Sequence, residues 1–483
     1  MNTYFKHTII YFISKGLPGA LTFLAILYYS DKLDPSEYGI YSLIISAVGI
    51  LNIIGFDWFR FGVARFLPEY VASNKRDEFI SFINSKVQVT IVIVFIITLI
   101  VYLLFPFFPD IGIARWMIPV VSILTILQYL FILYSRVIIT ELMPNIFMKA
   151  NFIKAIFGVL LSVFLVYSGW GFKGLIIGLG AGLIFSVSFL CYKIKFPKPL
   201  FNLSLDRDLL KQIALYSLPL AASASLSFIL SYSNRFIINY YRGVNETGLF
   251  SLGFDFSQQT VGVFISIAAT SAFPIAMKLY SESGNTTELK RHMSNSLLLL
   301  CTISLPVVAV FAANSVDIST LLLGSKFSSM DNLVIPIISL NTFILGIKAF
   351  YFDLYFYLRK ETKYQLIILL VVASLNVALN LIFVPRYGYI AAIWAGLVTS
   401  LVAVISTFFV TRRLLPIPLD FKALVKVFSV GLLMFVVMKV LGNSSSIGFF
   451  IVKLIIGGVV YITLIALINK KVILQLLKSK FKK

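Results

Sequence analysis

The octapeptide Ser36–Leu43, SEYGIYSL, stands between two long apolar runs and returns half a chain later as NETGLFSL at Asn245–Leu252. Glu, Gly, Ser and Leu keep their register between the copies, and Ile/Leu and Tyr/Phe are exchanges of like for like. A polar-to-apolar junction written twice marks a duplicated unit, and the composition says what kind. The chain has 483 residues, 59% hydrophobic and 13% charged, with a mean hydropathy of +0.95. Soluble domains sit near ~45–50% apolar and about 25% charged. A water-soluble fold of this size has nowhere to put the excess. The sequence reads as an all-α polytopic membrane protein.

A crossing helix needs about 20 mostly apolar residues. Fourteen such stretches are present, near residues 8–30, 39–60, 83–105, 115–139, 150–168, 172–193, 212–240, 247–275, 294–313, 332–358, 364–384, 388–410, 423–441 and 446–468. No small-residue cleavage site follows the first, which is read as a retained helix. With both termini cytoplasmic, about thirty of the 41 basic residues gather on the inner side. The net charge of +21 is then topology and not a nucleic-acid footprint. Cys191 and Cys301 lie far apart, and His7 and His292 sit beside spans, so no disulfide framework or metal site is expected.

Each octapeptide enters the second span of a six-span lobe, and an even number of spans separates the copies. That is a parallel repeat about an axis along the membrane normal. The lobes are 1–193 and 212–413, joined by a cytoplasmic linker at 194–211, with two additional helices and a basic tail at 414–483. The lobe ends rhyme as well: YSGWGFKGLIIG (Tyr167–Gly178) matches PRYGYIAAIWAG (Pro385–Gly396). Within the octapeptide the Gly permits a tight turn, and the Glu is expected to cap the start of the next helix.

Three stretches carry a family resemblance: LDPSEYGIYSLIISAVGILNIIGFDWFRFGVARFLPEY (Leu33–Tyr70), NRFIINYYRGVNETGLFSLGFDFSQQ (Asn234–Gln259) followed by SAFPIAMKLY (Ser271–Tyr280), and LNVALNLIFVPRYGYIAAIWAG (Leu375–Gly396). They resemble the polysaccharide biosynthesis (O-antigen, Wzx-type) flippases of the MATE-like, or MOP, superfamily. The resemblance implies movement of an undecaprenyl-pyrophosphate-linked oligosaccharide, an O-antigen or capsule/exopolysaccharide repeat unit. The direction is from the inner to the outer leaflet of a bacterial or archaeal cytoplasmic membrane, by alternating access. It implies twelve core helices in two V-shaped lobes, with the last two helices cradling the lipid tail. No cofactor is expected; an H+ or Na+ gradient is the expected source of coupling, and a polymerase and glycosyltransferases are the expected pathway partners. The second-half signature often has Asp where this chain has Asn234.

Charges at membrane depth are costly and usually face a cavity or a partner. The candidates are Lys15, Asp57, Arg60, Arg136, Lys154, Arg235, Asp255, Lys348 and Asp353. Their cationic excess suits an anionic cargo. Lys15, Arg60, Arg136, Lys154, Arg235 and Lys348, with Gln258 and Gln259, form the expected substrate-binding set; Asp57, Asp255 and Asp353 form a gating or ion-coupling set. Arg60, Arg136 and Lys154 also lie within snorkelling reach of the inner headgroups. Asp57 and Arg60 share a helix face. Arg235 and Asp255 flank the outer turn at matching distances, as a gate or as a structural pair. Gly16–Gly19, GLPG, predicts a kink in the first helix, and Gly174, Gly178 and Gly182 predict a packing stripe. An acyltransferase needs a histidine at membrane depth and a polymerase a sizeable outer loop; neither is present. An ion-coupled multidrug or metabolite exporter is the competing reading.

Overall fold

The computed structural model describes residues 3–107, 114–194, 207–269, 272–283, 287–444 and 446–468. They form helices and connecting turns with no strand among the described residues. The helices are α1 (Thr3–Lys32), α2 (Pro35–Gly55), α3 (Asp57–Ala72), α4 (Arg76–Leu104), α5 (Met117–Thr140), α6 (Pro144–Tyr167), α7 (Gly171–Ile194), α8 (Arg207–Ser257), α9 (Val263–Ala269) and α10 (Ala272–Ser283). They continue with α11 (Thr287–Ala313), α12 (Ser315–Asp317), α13 (Val334–Ile347), α14 (Asp353–Arg359), α15 (Thr362–Tyr387), α16 (Tyr389–Leu414), α17 (Phe421–Val440) and α18 (Ile447–Ile468). Among the described residues, 12 helical runs are long and apolar enough to cross a membrane. One of them, Arg207–Ser266, runs 60 residues, which at about 1.5 Å per residue is long enough for two crossings.

Two expected boundaries move. The span at 39–60 is two helices, because Phe56 leaves helical geometry at φ −130° between α2 and α3. The expected loop between spans at 212–240 and 247–275 is absent: α8 runs through it and breaks only at Gly243, at φ 82° and ψ 177°. That region is open to glycine and very little else. The residues expected to link the lobes lie mostly at 195–206, outside the described residues.

The chain divides into two compact units, Met1–Ser251 with Val377–Tyr389, and Leu252–Asn376 with Ile390–Lys483. The packing boundary therefore falls inside the second octapeptide, and the two copies meet in the first unit. A methyl on Gly39 would lie 2.1 Å from the Val244 carbonyl oxygen, and one on Gly248 would lie 1.7 Å from that of Pro35. α2 and α8 cross backbone on backbone at this glycine pair, a contact that small residues make possible.

The glutamates of the repeat do more than cap their own helices. Glu37 closes a capping box at the start of α2, accepting from the Asp34 amide at 3.2 Å. Its other oxygen accepts from the Phe172 amide at 3.4 Å, at the start of α7. In the second copy, Glu246 accepts from the Tyr389 amide at 2.9 Å, at the start of α16, and pairs with Arg242 at 3.0 Å. The glycines just before these amides, Gly171 (φ 51°) and Gly388 (φ 63°), face the same glutamates. The octapeptide and the lobe-end rhyme are thus two halves of one device, a carboxylate on the positive end of a distant helix.

Elsewhere in the first unit, the Gly174–Gly178–Gly182 stripe lies against α6, with Gly182 under the Lys154 carbonyl. In the second unit, α17 and α18 pack on α11 through Ala309, Ala313, Val430, Met434, Met438 and Tyr461.

Candidate substrate-binding site

Pro18 sits inside α1 and removes a backbone donor there; the Thr22 hydroxyl donates to the Pro18 carbonyl at 2.9 Å. Beside this turn a cavity of about 210 Å³ opens between α1, α2, α6 and α7. Its polar wall is Thr22, Tyr29, Tyr41, Asn151, Lys154 and Ser162. The Lys154 ammonium lies 4.4 Å from the centre of the Phe131 ring of α5, a cation–π contact. Among the described residues no carboxylate comes within ion-pair distance of it. Lys154 thus lines this cavity. The wall sets an ammonium among hydroxyls and an amide.

Several of the other candidates are matched with partners. Arg60 pairs with Asp57 at 2.7 Å and stacks 4.6 Å from the Phe61 ring. Arg136 lies within the electrostatic reach of both Asp57 and Arg60. Lys348, expected in the substrate-binding set, is held by both oxygens of Asp353 at 2.9 Å, and Gln365 donates to the same carboxylate at 3.1 Å. The cause is local. A π-turn over Lys348–Phe352 brings residues five apart into register, a spacing that three- and four-residue periodicity passes over.

Arg235 is 1% exposed, and donates to the Ser46 hydroxyl at 3.2 Å and the Ser42 carbonyl at 3.4 Å. Its guanidinium therefore serves the α2–α8 crossing. Asp255 is half-buried and belongs to the second unit, as do Gln258 and Gln259, half-buried in a π-turn after α8. Asn234, standing where the family often has Asp, accepts from the Asn380 side-chain amide at 3.1 Å. Lys15 lies on α1, and its side chain is outside the described residues.

The sequence reading passed over the Asp317–Lys453 pair, 3.0 Å apart with both side chains 1% exposed. Asp317 also accepts from the Ser444 amide and hydroxyl at 2.8 Å, and Lys453 donates to the Gly442 carbonyl. Burial pushes the Asp317 carboxyl up, but the Ser444 and Lys453 donors outweigh it and hold the group below the usual carboxylate range. An isolated Lys in the middle of the 447–468 run was the available signal. Arg76, bound to Glu141 of the α5–α6 turn, was also missed.

The sequence profile of the polysaccharide biosynthesis protein family matches residues 33–332. The chain belongs to this family. The polysaccharide biosynthesis protein described here is 25% identical over 266 residues to the probable lipid II flippase MurJ of Borreliella burgdorferi, covering 53% of this chain and 52% of that one. It thus spans about half the length of the curated relative it matches. A solved structure of the lipid II flippase MurJ in an inward closed conformation covers 96% of this chain and all of its own, at 16% identity and a TM-score of 0.77. An inward-facing multidrug resistance MATE family transporter of the MOP superfamily covers 84% of this chain and 98% of its own, at 14% identity and a TM-score of 0.64. The fold of this family member is therefore MurJ- and MATE-like.

Proposed function

We propose that this protein is a flippase that carries an undecaprenyl-pyrophosphate-linked oligosaccharide, an O-antigen or capsule/exopolysaccharide repeat unit, from the inner to the outer leaflet by alternating access. It acts as a transporter and not an enzyme, in the cytoplasmic membrane of a bacterium or archaeon, with both termini cytoplasmic. Its fourteen crossings count α1 and both arms of the Arg207–Ser266 run, arranged as two six-helix lobes and two additional helices. Membrane lipids surround it, glycosyltransferases supply its cargo and a polymerase consumes it. The observation that carries this reading is the Lys154 cavity. An exporter of cationic drugs needs a free carboxylate at its binding site, whereas here Asp57 and Asp353 are tied to bases and the ammonium of Lys154 is not. Lys154 meets the pyrophosphate or an acidic sugar. Asp57, Asp255 and Asp353 are the positions at which an H+ or Na+ gradient would act.

The competing reading, an ion-coupled multidrug or metabolite exporter, is favoured by the fold shared with the MATE transporter. Proteoliposomes separate the two. The parent is expected to move a lipid-linked oligosaccharide across the bilayer, Lys154→Arg to keep most of that rate, and Lys154→Ala to lose at least tenfold. Full translocation by Lys154→Ala removes the cavity from the mechanism; drug efflux without oligosaccharide movement selects the exporter.

A further inference from the structure

A second recess lies in the first unit, on a face that the substrate cavity does not use. It is an apolar groove of about 440 Å³ between α2, α4 and α5, walled by Leu51, Ile54, Val94, Ile97, Val101 and Val121. Ile54 and Ile97 are 59% and 53% exposed, and the apolar window of α4 has none of its residues buried. In a membrane-spanning chain such a face meets lipid. The three hydroxyls that line the groove are all engaged: Thr98 donates to Ser122 at 2.7 Å, Ser122 to the Ile118 carbonyl at 3.0 Å and Thr125 to the Val121 carbonyl at 2.7 Å. The groove therefore accepts hydrocarbon and offers nothing to a sugar.

A charged cluster lies beyond one end of the groove. Phe56 closes that end, stacked on Tyr129 at 4.4 Å. Arg60 follows about 6 Å further along α3, and Arg136 about 10 Å beyond Tyr129 along α5. Two guanidinium groups face a single carboxylate there, so the end is net positive. Arg60 meets Asp57 through one terminal nitrogen, and Arg136 forms no ion pair among the described residues. A guanidinium without a carboxylate offers donors of the geometry that phosphate oxygens accept.

We propose that the groove and the Arg60–Arg136 end form one binding site for a polyprenyl phosphate or pyrophosphate lipid, with the chain between α2, α4 and α5 and the phosphate on the guanidiniums. This rests on the flippase reading, whose cargo carries the hydrocarbon chain and the phosphate that the site would take. Moving a chain from bilayer to groove brings no hydrophobic gain, because lipid is as apolar as the walls. Shape and head charge therefore decide the occupant. A single groove with cations at one end suits a one-chain anionic lipid, whereas a phospholipid leaves its second chain outside. The site lies on the first unit and not on the last two helices, where the family resemblance alone would put the tail.

The test uses full-length protein in lipid nanodiscs, with binding of a polyprenyl phosphate read by native mass spectrometry against the uncharged polyprenol of equal length and phosphatidylglycerol. The parent is expected to retain the phosphate at least tenfold better than either competitor. Ile97→Trp fills the groove from its lipid-facing side and should lower binding of both prenyl lipids. Phe95→Trp, 66% exposed on α4 outside the groove, should not. Arg136→Gln should bring the phosphate down to the level of the polyprenol. Equal retention of phosphatidylglycerol makes this a groove for bulk lipid and overturns the proposal, as does unchanged binding in Ile97→Trp. Oligosaccharide translocation in the same variants keeps the two readings apart. A parent that translocates with an undiminished Ile97→Trp refutes the groove alone, and a parent that binds the lipid without translocating refutes the flippase alone.

Discussion

Adding one methyl group at Gly248 tests the crossing that joins the two copies of the repeat. The new Cβ would lie 1.7 Å from the Pro35 carbonyl oxygen and 2.5 Å from its carbon, against the 3.4 Å at which ordinary contact begins. Both obstacles are backbone, so no rotamer change relieves them, and α2 must move away from α8. Over-packing costs about 1–3 kcal/mol where side chains can adjust. A backbone clash beside the buried Arg235 contacts puts Gly248→Ala at about 3 kcal/mol, roughly a hundredfold in the unfolding equilibrium. Gly39→Ala meets the Val244 carbonyl oxygen at 2.1 Å and should behave alike. Once the helices have parted, however, the second methyl adds little. The double variant should therefore cost well less than the sum, with a coupling of about 1–3 kcal/mol. Gly458→Ala is the control, since nothing lies within 4 Å of its added carbon and Ala is the better helix former by ~1 kcal/mol. Denaturant titration of the detergent-purified protein reads all four. If Gly248→Ala unfolds with the parent, or the two costs simply add, α2 and α8 do not cross at this pair.

Glu246→Ala removes the cap on α16 and should cost about 0.5–2 kcal/mol in the same titration, with Glu246→Gln losing less because it keeps an acceptor. Lys453→Met leaves the buried Asp317 without its cation and should cost about 3–5 kcal/mol; adding Asp317→Asn should recover much of that. Asp317 is also expected to set an acid limit. A carboxyl held below its unfolded value stabilises the fold at any pH above about 4 and loses that contribution as pH falls through the lowered value. The stability difference between parent and Asp317→Asn should stay constant from pH 7 to about pH 5 and shrink below about pH 4. A difference that shrinks already between pH 7 and 6 would contradict the hydrogen-bonded carboxylate.

Local chemistry made the helices, their approximate ends and the duplication legible in the sequence. Apolar runs of membrane length must become helices, because a backbone in lipid has no other partner for its amides, and a pair of octapeptides in register needs no coordinates to be seen. The Asp57–Arg60 pair and the glycine stripe followed from helical periodicity. What the octapeptide was for lay outside local reach. Its glycines stand against backbone from the other copy, and its glutamates cap helices that begin over a hundred residues away, so only the folded chain brings donor and acceptor together. The same limit governed the charges. Lys348 and Lys154 look alike along the sequence, each one cation in an apolar run. A π-turn hands Asp353 to the first, and the packing of α1, α2, α6 and α7 leaves the second facing a cavity. The neutralisation of a buried charge depends on what stands within about 4 Å of it, and that distance is set by tertiary structure.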